Sequence, residues 1–590
     1  MRQLGRYLTF FLAGCLGCFA SVTPQTLQRG EEVQTSDNEV GHYGGTLVVG
    51  QRSEPKTLNP VVAADGPSRE VIGRMMADLI HINRASQQTE PALAKSWTMS
   101  KDGRTFMVKL RHGLRFSDGQ PFSADDVVFS FQVYLDEKVH SPQRDLLIVG
   151  GKPIEVQKVD QYTVRFTLAQ PYAAAERIFD SLAIMPRHLL EQPYKDEKFA
   201  QSWTLTTLPA QIAGMGPFRL KEYVAGQKLV LERNPYYWKV DSGKNRLPYL
   251  DEMAFLFTGN EDAQVIRFQA GDTDIISRVG AENYTLLSKD STHGIEMFDL
   301  GPSLEYNFLV FNLNDLKGKN LDKIAAKQAW FSDLKFRQAV SLAIDRQSII
   351  KLVYSGRGAA LWGNVSPSNK LWVDQTLPHP ARSVDQAHAL LQSAGFSWRS
   401  DGQLVDRQGQ AVEFSIIASS SNAQRSKMAT LIQDDLSKLG MNVHVVPLEF
   451  KAVLDRVFQT YDYEASIMAL GGGDADPNPE MNVWLSSGGT HLWHLSEAKP
   501  TTEWEAQIDQ LMQKQMVELK YKDRKRLYDQ VQEIIAANDP FIFLATPDIL
   551  VGAKKNLANF KPAILDPNTL WNVEQLYFSP GSGGASGGRP

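Results

Sequence analysis

Apolar and polar positions along the chain follow two recurring patterns, one typical of buried strands and one of amphipathic helices. Short apolar runs at residues 45–50 and 306–312 predict buried strands, and the alternation over residues 105–111 predicts another. Apolar residues spaced three and four apart over residues 70–81 predict a helix. Because such strands and helices alternate, we expect α/β lobes with mixed sheets.

The same patterns recur with longer helices in the second half of the chain. Helical spacing predicts four helices there, at residues 335–354, 383–394, 424–439 and 503–538. Apolar runs that separate or follow these helices predict strands at residues 413–417, 442–446 and 540–544. In the first half, Ser123 followed by Asp125 and Asp126 predicts a helix start, because these side chains satisfy the free amides of a first turn.

The size and charge of the chain exclude some classes of protein. A chain of 590 residues is longer than one hydrophobic core usually supports, so we expect at least two large lobes. Apolar residues make up 43% of the chain, which is enough to fold most of it. The formal net charge is -5 and no block is rich in Lys and Arg, so nucleic acid is not an expected partner.

The first residues carry the pattern of an export signal. Arg2 and Arg6 precede a short, mostly apolar run at residues 7–14, which is too short to span a bilayer as a helix. The run ends in Leu-Ala-Gly-Cys, which resembles the bacterial lipobox, where cleavage before the Cys leaves a thiol that is lipidated. We therefore predict a lipid anchor on Cys15. The alternative is ordinary signal cleavage further on, after Ala20.

The flanks of the folded part differ from it in composition. Cys15 and Cys18 are the two cysteines, so no disulfide or thiolate metal site can form after residue 18. We expect a signal peptide over residues 1–18, a flexible tether over residues 19–42 and a disordered Gly/Ser-rich tail over residues 579–590. No later run approaches the ~18 apolar residues of a membrane helix.

Several spaced motifs carry a resemblance to a known family. Residues 92–131, which include Asp-Gly-Arg-Thr-Phe and Phe-Ser-Asp-Gly-Gln-Pro-Phe, resemble the most recognisable stretch of the extracellular solute-binding proteins of family 5. That family contains the oligopeptide, dipeptide and nickel-type binding proteins. Further motifs resemble the family in the same order, at residues 216–218, 234–238, 271–275 and 336–346. The resemblance runs from about residue 44 to residue 577.

The resemblance implies a large, peptide-binding type II periplasmic-binding-protein fold of the α/β class. Two lobes joined by two crossing strands would enclose a ligand in the cleft between them, which also suits coupling of binding to closure. We expect the crossings near residues 306–312 and 540–547. The first lobe would then comprise residues 43–305 and 541–578, and the second residues 306–540.

One glycine-rich loop is the best candidate for a ligand contact. Gly471, Gly472 and Gly473 would let a ligand approach the backbone, and the carboxylates of Asp474 and Asp476 would accept hydrogen bonds from an ammonium group. In peptide-binding relatives an Asp in this loop holds the α-ammonium of the peptide, and Asp474 occupies that place. The loop is one residue shorter than in those relatives, so Asp476 remains the alternative, as does a solvated turn without a ligand.

A second feature bears on the length of the ligand. Dipeptide-binding relatives carry an Arg that binds the carboxylate of the ligand, in the loop that aligns with residues 419–422 here. This stretch contains no Arg, and the first Arg after it is Arg425. This departure favours a longer peptide or another solute, oriented by Asn422 or Arg425. Trp362 and Trp493 are candidate walls of the cleft, with ordinary core packing as the alternative.

Signals of catalysis are weak. Ser-x-x-Lys at residues 53–56 and Gly-x-Ser-x-Gly at residues 584–588 lie in a predicted loop and in the predicted disordered tail. His491 and His494 would bind a transition metal together with an acid, but the sequence shows no third ligand. We therefore predict no catalytic residue, no metal and no cofactor.

These observations lead to one expected function. We expect an exported, membrane-anchored monomer at the cell surface or in the periplasm. It would capture a peptide or similar solute by lobe closure and deliver it to the permease of an ABC importer. The alternatives are an exported hydrolase and a receptor for a metal or another solute without a transporter.

The lipid anchor gives the first testable prediction. Cys15→Ser removes the thiol that would carry the lipid, so the protein should move from the membrane fraction to the soluble fraction. Cell fractionation and mass spectrometry of the mature N-terminus measure this. Unchanged fractionation, or a mature N-terminus beyond Cys18, would contradict the lipobox interpretation.

Overall fold

The computed structural model describes residues 23–180, 182–471, 475–495, 497 and 499–579. The signal peptide, Cys15, Gly472, Gly473, Asp474 and residues 580–590 lie outside the described residues. Within them, no helix is both long enough and apolar enough to cross a membrane. The helices span Gly66–Met75, Ala124–Leu135, Arg187–Lys195, Glu261–Ala270, Ala281–Ser288, Asp322–Phe331, Leu334–Ala343, Arg346–Val353, Val384–Ser393, Ala423–Ser437, Phe450–Asp455, Met481–Trp484, Glu503–Val517 and Tyr521–Asn538.

The largest sheet has eight strands and mixed direction. Thr46–Gln51, the first predicted strand, lies in its interior and pairs in parallel with both of its neighbours. In spatial order the strands are Phe218–Val224, Lys228–Arg233, Glu252–Phe257, Thr46–Gln51, Ile275–Ile276, Ala545–Lys554 and Ile295–Pro302, with Gly358–Ala360 also paired to Ala545–Lys554.

A second mixed sheet has five strands, in the order Asn442–Leu448, Glu413–Ser419, Ala465–Gly471, Glu305–Phe311 and Phe541–Phe543. Glu305–Phe311 is buried on both faces, because Leu309 and Phe311 belong to one core cluster while Phe308 and Val310 belong to another. Burial on both faces explains why this strand reads as a continuous apolar run in the sequence.

Smaller sheets complete the architecture. A four-stranded antiparallel sheet in the order Ala94–Met99, Thr105–Leu110, Thr163–Thr167 and Glu155–Asp160 shares its core with the eight-stranded sheet. Two-stranded sheets pair Gln34–Thr35 with Lys239–Val240, Ile80–Ile82 with Thr89–Pro91, Ile148–Val149 with Lys152–Pro153, Ser397–Trp398 with Leu404–Val405, and Leu557–Ala558 with Tyr577–Phe578.

The chain passes between the two large sheets at two adjacent places. It leaves the eight-stranded sheet at Pro302 and enters the five-stranded sheet at Glu305. It returns between Phe543 and Ala545. Hydrogen bonds tie the two crossings together: the hydroxyls of Ser303 and Thr546 lie 2.8 Å apart, and the Ser303 amide donates to the Pro547 carbonyl at 2.8 Å.

The predicted helices are present, but three have different bounds. The helix expected over residues 70–81 is Gly66–Met75, because Asp65 caps its start and Met76 is already extended. The helix expected over residues 335–354 is two helices, since Ile344 is extended and Asp345 caps a second helix. The predicted cap at Ser123 is confirmed, with Asp126 completing a capping box.

The long helix expected over residues 503–538 is also two helices. Glu518 is extended and ends the first, so Glu503–Val517 and Tyr521–Asn538 pack side by side as a hairpin. The two helices bury Ile508, Met512, Val531 and Ile535 in one shared core. An amphipathic pattern that continues across the break gave no sign of the turn.

Part of the segment expected to be a flexible tether is fixed to the fold. Gln34–Thr35 pairs with Lys239–Val240, and Glu31 forms an ion pair with Arg246 at 2.8 Å. Glu32 accepts two hydrogen bonds from Lys95 at 2.9 and 3.0 Å. The polar composition that suggested a tether supplies these surface contacts, so the prediction for residues 19–42 is corrected over this part.

Two glycines provide a matched test of the packing. A Cβ on Gly216 would lie 2.5 Å from the carbonyl oxygen of Arg74, whereas a Cβ on Gly73 would meet nothing within 4 Å. We expect Gly216→Ala to lower the free energy of unfolding by about 2–3 kcal/mol through overpacking. Gly73→Ala, inside a helix, should raise it by about 0.5–1 kcal/mol. Urea unfolding measures both. Equal effects of the two substitutions would contradict the close packing at Gly216.

Candidate functional site

The glycine-rich loop begins beside one of the two crossings. In the antiparallel pairing of Glu305–Phe311 with Ala465–Gly471, Glu305 lies opposite Gly471. Gly471 has a φ of 95°, and a Cβ there would lie 2.7 Å from the carbonyl oxygen of Leu304. Only glycine fits this position without strain, so the strand register delivers the loop to the point where the chain changes sheets.

Arg425 reaches the same point from the start of a helix. Asn422 caps the helix Ala423–Ser437 by accepting a hydrogen bond from the Arg425 amide at 2.9 Å. The guanidinium of Arg425 then donates from Nε to Oδ1 of Asn307 at 3.1 Å, and its Nη2 lies 3.5 Å from Oε1 of Glu305. Arg425 is therefore already bonded to the crossing strand.

Asn307 connects the two crossings through its amide. Its Nδ2 donates to the hydroxyl of Tyr354 at 3.3 Å and to the carbonyl of Ala545 at 3.2 Å, which lies on the returning strand. Burial, with a smaller contribution from the Glu305 charge, raises the pKa of the Tyr354 hydroxyl. Tyr354 is therefore neutral at physiological pH.

Asp476 closes the glycine-rich loop through a buried ion pair. Both of its oxygens accept from Arg524 at 2.6 Å, and the side chains of Asp476 and Arg524 are only 5% and 7% exposed. Arg524 also donates to Gln515, and its guanidinium lies 4.8 Å from the ring centroid of Trp372. In this structure Asp476 is an internal anchor, which disfavours it as the group that receives a ligand cation.

Other contacts hold the end of the same loop against residues that come before and after the first crossing. Asn369 donates to the carbonyl of Ala475 at 2.8 Å. Ala475 also belongs to a small apolar cluster with Ile82, Leu304 and Leu565. This cluster brings the strand Ile80–Ile82 beside the end of the loop. A recess at this place is lined by Leu304, Asn364, Val365, Ser366, Asn369, Ala475, Asp476, Pro477, Glu480 and Tyr528.

Glu480, which lines this recess, is a carboxyl group with a raised pKa. It accepts hydrogen bonds from the Tyr306 hydroxyl at 2.8 Å and from Nε1 of Trp484 at 2.9 Å. Burial raises the pKa of Glu480, and these two hydrogen bonds offset only part of the effect.

The two tryptophans proposed as cleft walls have different environments. Trp493 is 1% exposed and packs in the core with Trp484 and Phe541, so its role as a wall is corrected to core packing. Trp362 is partly buried and stacks on His379 with ring centroids 4.3 Å apart. Its indole N–H has no hydrogen-bond partner among the described residues.

Sequence reasoning missed several polar groups beside the crossings. Burial, reinforced by the charge of Asp299, raises the pKa of Asp548 to about 6. Arg357 pairs with Asp299 at 2.8 Å. Asn307 was detectable as the polar interruption of an apolar strand, whereas the partners of Asp548 come from distant parts of the chain and leave no local signal.

A direct contact also joins the part of the chain before residue 303 to the part between the two crossings. The amide of Ala173 donates to the carbonyl of Met516 at 2.7 Å, which links a loop after the four-stranded sheet to the helix Glu503–Val517. These two parts of the chain therefore touch in this structure away from the crossings as well as at them.

Comparison with known proteins identifies relatives over most of the chain. The model for bacterial extracellular solute-binding proteins, family 5 Middle, matches residues 88–491. A probable ABC transporter-binding protein of Deinococcus radiodurans is 30% identical over 529 residues, which cover 86% of this chain and 87% of that protein. The oligopeptide-binding protein AppA of Bacillus subtilis is 26% identical over 584 residues, 97% of each chain.

Solved structures show the same fold. The structure of AppA from Bacillus subtilis in complex with a nonapeptide has a TM-score of 0.68 at 25% identity and covers 91% of this chain and 99% of that one. NikA from Brucella suis in complex with Fe(III)-EDTA has a TM-score of 0.76 at 19% identity and covers 91% of this chain and 100% of that one. The predicted type II periplasmic-binding-protein fold is confirmed.

The buried ion pair gives a prediction about stability. Asp476→Asn leaves the charge of Arg524 buried without a counterion, so we expect the free energy of unfolding to fall by about 3–5 kcal/mol. Asp566→Asn is the matched control, because Asp566 pairs with Arg278 at 2.8 Å but its side chain is 57% exposed. The control should change stability by less than about 1 kcal/mol. Urea denaturation measures both, and a small effect of Asp476→Asn would show that the pair does not anchor the loop.

Proposed function

Because this chain belongs to the bacterial extracellular solute-binding proteins of family 5, we propose that it captures an oligopeptide outside the cell membrane for an ABC importer. The family and the structural neighbours are binding proteins, and the chain is the solute-binding component of its transporter. Four parts of this proposal go beyond membership of the family: the peptide as ligand, the lipid anchor at Cys15, the monomeric state and the absence of catalysis.

The observation that carries the proposal is the convergence of polar groups at the crossings. Glu305, Asn307 and Arg425 lie where the chain changes sheets, and the loop anchored by Asp476 starts opposite Glu305. We assign residues 43–305 and 541–578 to one lobe and residues 306–540 to the other. A ligand between two such lobes would contact these groups and bury most of its surface.

The peptide is proposed to bind through its α-ammonium group. Asp474 is the loop acid next to the anchor at Asp476, and an ammonium group taken from water needs a carboxylate in place. Arg425 is already bonded to Asn307 and Glu305, so its guanidinium is engaged within the protein and is disfavoured as the group that would fix the carboxylate of a dipeptide. This favours a longer peptide held along its backbone, and AppA, named as oligopeptide-binding, supports that length.

Capture would proceed by closure of the lobes about the two crossings. A ligand shifts an open–closed equilibrium only by its differential affinity for the closed form. In the closed form a peptide would touch groups from both lobes at once. The hydrogen bond from Ala173 to Met516 joins the two lobes, so opening would break it.

Titration calorimetry with a nonapeptide that carries a free N-terminus tests this proposal. Asp474→Asn removes the charge that pairs with the ammonium group, which should weaken binding by about 2–5 kcal/mol, or roughly 30-fold to several thousand-fold. The melting temperature of the empty protein should stay nearly unchanged. Asp145→Asn is the control, because it removes the same charge from a side chain that is 95% exposed, and it should bind as the parent does.

The same peptide with an acetylated N-terminus should bind the parent protein as weakly as the free peptide binds Asp474→Asn. Small-angle scattering with the free peptide at saturation should show a more compact particle, and mass spectrometry should recover the peptide intact. Equal binding of the two peptides would contradict the role of Asp474. A cleaved peptide would favour a hydrolase, and binding of metal ions without any peptide would favour a metal receptor.

A further inference from the structure

A buried group of one histidine and two glutamates lies outside the candidate ligand site. His491 and Glu497 belong to the segment between the helices Met481–Trp484 and Glu503–Val517, and Glu505 lies in the first turn of the second helix. The side chain of His491 is 0% exposed, and those of Glu497 and Glu505 are each 3% exposed. One ligand atom from each residue lies within 4.8 Å of the other two.

The hydrogen bonds of His491 determine which nitrogen faces the acids. Its Nδ1 lies 2.9 Å from the carbonyl oxygen of Val483, and a carbonyl only accepts, so Nδ1 carries the proton. In the neutral imidazole, Nε2 therefore presents its lone pair to Glu497 and Glu505. This arrangement, in which a backbone carbonyl fixes the tautomer, is the one in which histidine binds metal ions.

The distances in this group are too long for hydrogen bonds. Nε2 of His491 lies 3.6 Å from Oε2 of Glu497 and 3.7 Å from Oε1 of Glu505. Zinc–ligand bonds of 2.0–2.2 Å in a tetrahedron place ligand atoms roughly 3.4 Å apart, close to the spacing seen here. Nε2 of His491 and both carboxylate oxygens of Glu497 have no hydrogen-bond partner among the described residues.

Glu505 is held as a carboxylate by its own contacts. Its Oε2 accepts from Thr501 and twice from Thr502, while its Oε1 accepts from Nε1 of Trp493 at 2.9 Å. Oε1 keeps one lone pair for a further ligand.

The charge of the group requires compensation. Two carboxyl groups with almost no exposure are unfavourable unless cations or hydrogen-bond donors pair with their oxygens. His494 lies at the edge of the group, with its Nδ1 3.2 Å from Oε1 of Glu497 but not at hydrogen-bonding geometry. A divalent cation at this place would contact oxygens of both glutamates and Nε2 of His491 at once.

We propose that His491, Glu497 and Glu505 form a structural site for a divalent first-row transition metal, with zinc as the best fit. Nε2 of His491 and Oε1 of Glu505 supply one ligand each, and Glu497, with two unbonded oxygens, supplies one or both of the rest. His494 would hold the carboxylate of Glu497 in place from outside. Such a site ties the connecting segment to the start of the helix Glu503–Val517, and it is independent of the peptide site.

A second group with similar composition does not have these properties. Nδ1 of His81 lies 3.1 Å from Asp78 and 3.4 Å from Asp180. Asp180 also accepts from the Ile82 amide at 2.8 Å and from Arg84 at 3.0 Å. Burial lowers the pKa of His81, but the two Asp charges outweigh it and raise the pKa. The ring of His81 is therefore already paired with two carboxylates, which makes this group a useful comparison.

Metal binding by the full-length purified protein tests the proposal. After removal of metal with a chelator, Zn²⁺ should bind back with one equivalent per chain and raise the melting temperature. Glu497→Gln keeps the shape of the side chain but removes its charge, so it should lower zinc affinity at least ~100-fold. His81→Asn and Glu413→Gln, the latter from an exposed pair with His444, should bind zinc as the parent does.

Two further readouts keep the test decisive. X-ray absorption of the zinc-loaded, unsubstituted protein should show a shell of nitrogen and oxygen ligands with one imidazole, which does not depend on whether Glu497→Gln folds. Peptide titration of Glu497→Gln should match the parent, which separates this site from the peptide site. The proposal is overturned if no stoichiometric zinc binds, if two imidazoles coordinate it, or if Glu497→Gln retains the parent affinity.

Discussion

Two strands that change sheets side by side are the constraint on which this molecule depends. After the first crossing the chain enters the five-stranded sheet with the strand Glu305–Phe311. After the second crossing it re-enters the eight-stranded sheet with the strand Ala545–Lys554. Because the chain is bonded into a sheet on either side of each crossing, its direction there is fixed. Under the proposed closure, the lobes would rotate about the few residues between the sheets. The same geometry places polar side chains where the lobes face each other. The proposed hinge and the candidate binding site therefore share one feature of the topology.

The glycine-rich loop illustrates how a binding loop is held without a ligand. Its start is set by the register of Gly471 opposite Glu305, and its end by the ion pair of Asp476 with Arg524. A buried pair of this kind seldom adds net stability compared with apolar packing, but losing one partner is costly. It therefore fixes the position of Asp476 at the end of the glycine-rich loop.

Much of the fold was predictable from the sequence, because strands and helix starts have local signals. The strand at residues 306–312 and the cap at Ser123 follow from apolar runs and capping residues, and both are present. The breaks at Asp345 and Glu518 were not predicted, since the amphipathic pattern continues through them. The fixed part of residues 19–42 was also missed, because polar residues that bond to a surface look like a solvated linker.

The candidate site was less predictable, because its partners are distant in sequence. The loop motif favoured Asp474 and left Asp476 as the alternative, and the contact of Asp476 with Arg524 identifies Asp476 as an anchoring acid. Trp493 had the composition of a cleft wall but lies in the core. The sequence showed His491 and His494 without a third ligand, since Glu505 comes close to His491 only when the helix Glu503–Val517 folds against the preceding segment.

Preorganisation links these observations to the energetics of capture. A ligand that must order a loop on binding loses affinity through the conformational entropy of that loop. Here the anchor at Asp476, the bond from Asn369 to Ala475 and the bonds of Arg425 to the crossing strand already hold the groups around the site. Under the proposed function, binding energy would then be available for bringing the lobes together. Fixed local structure around the candidate site and freedom between the lobes would therefore be complementary requirements of the proposed function.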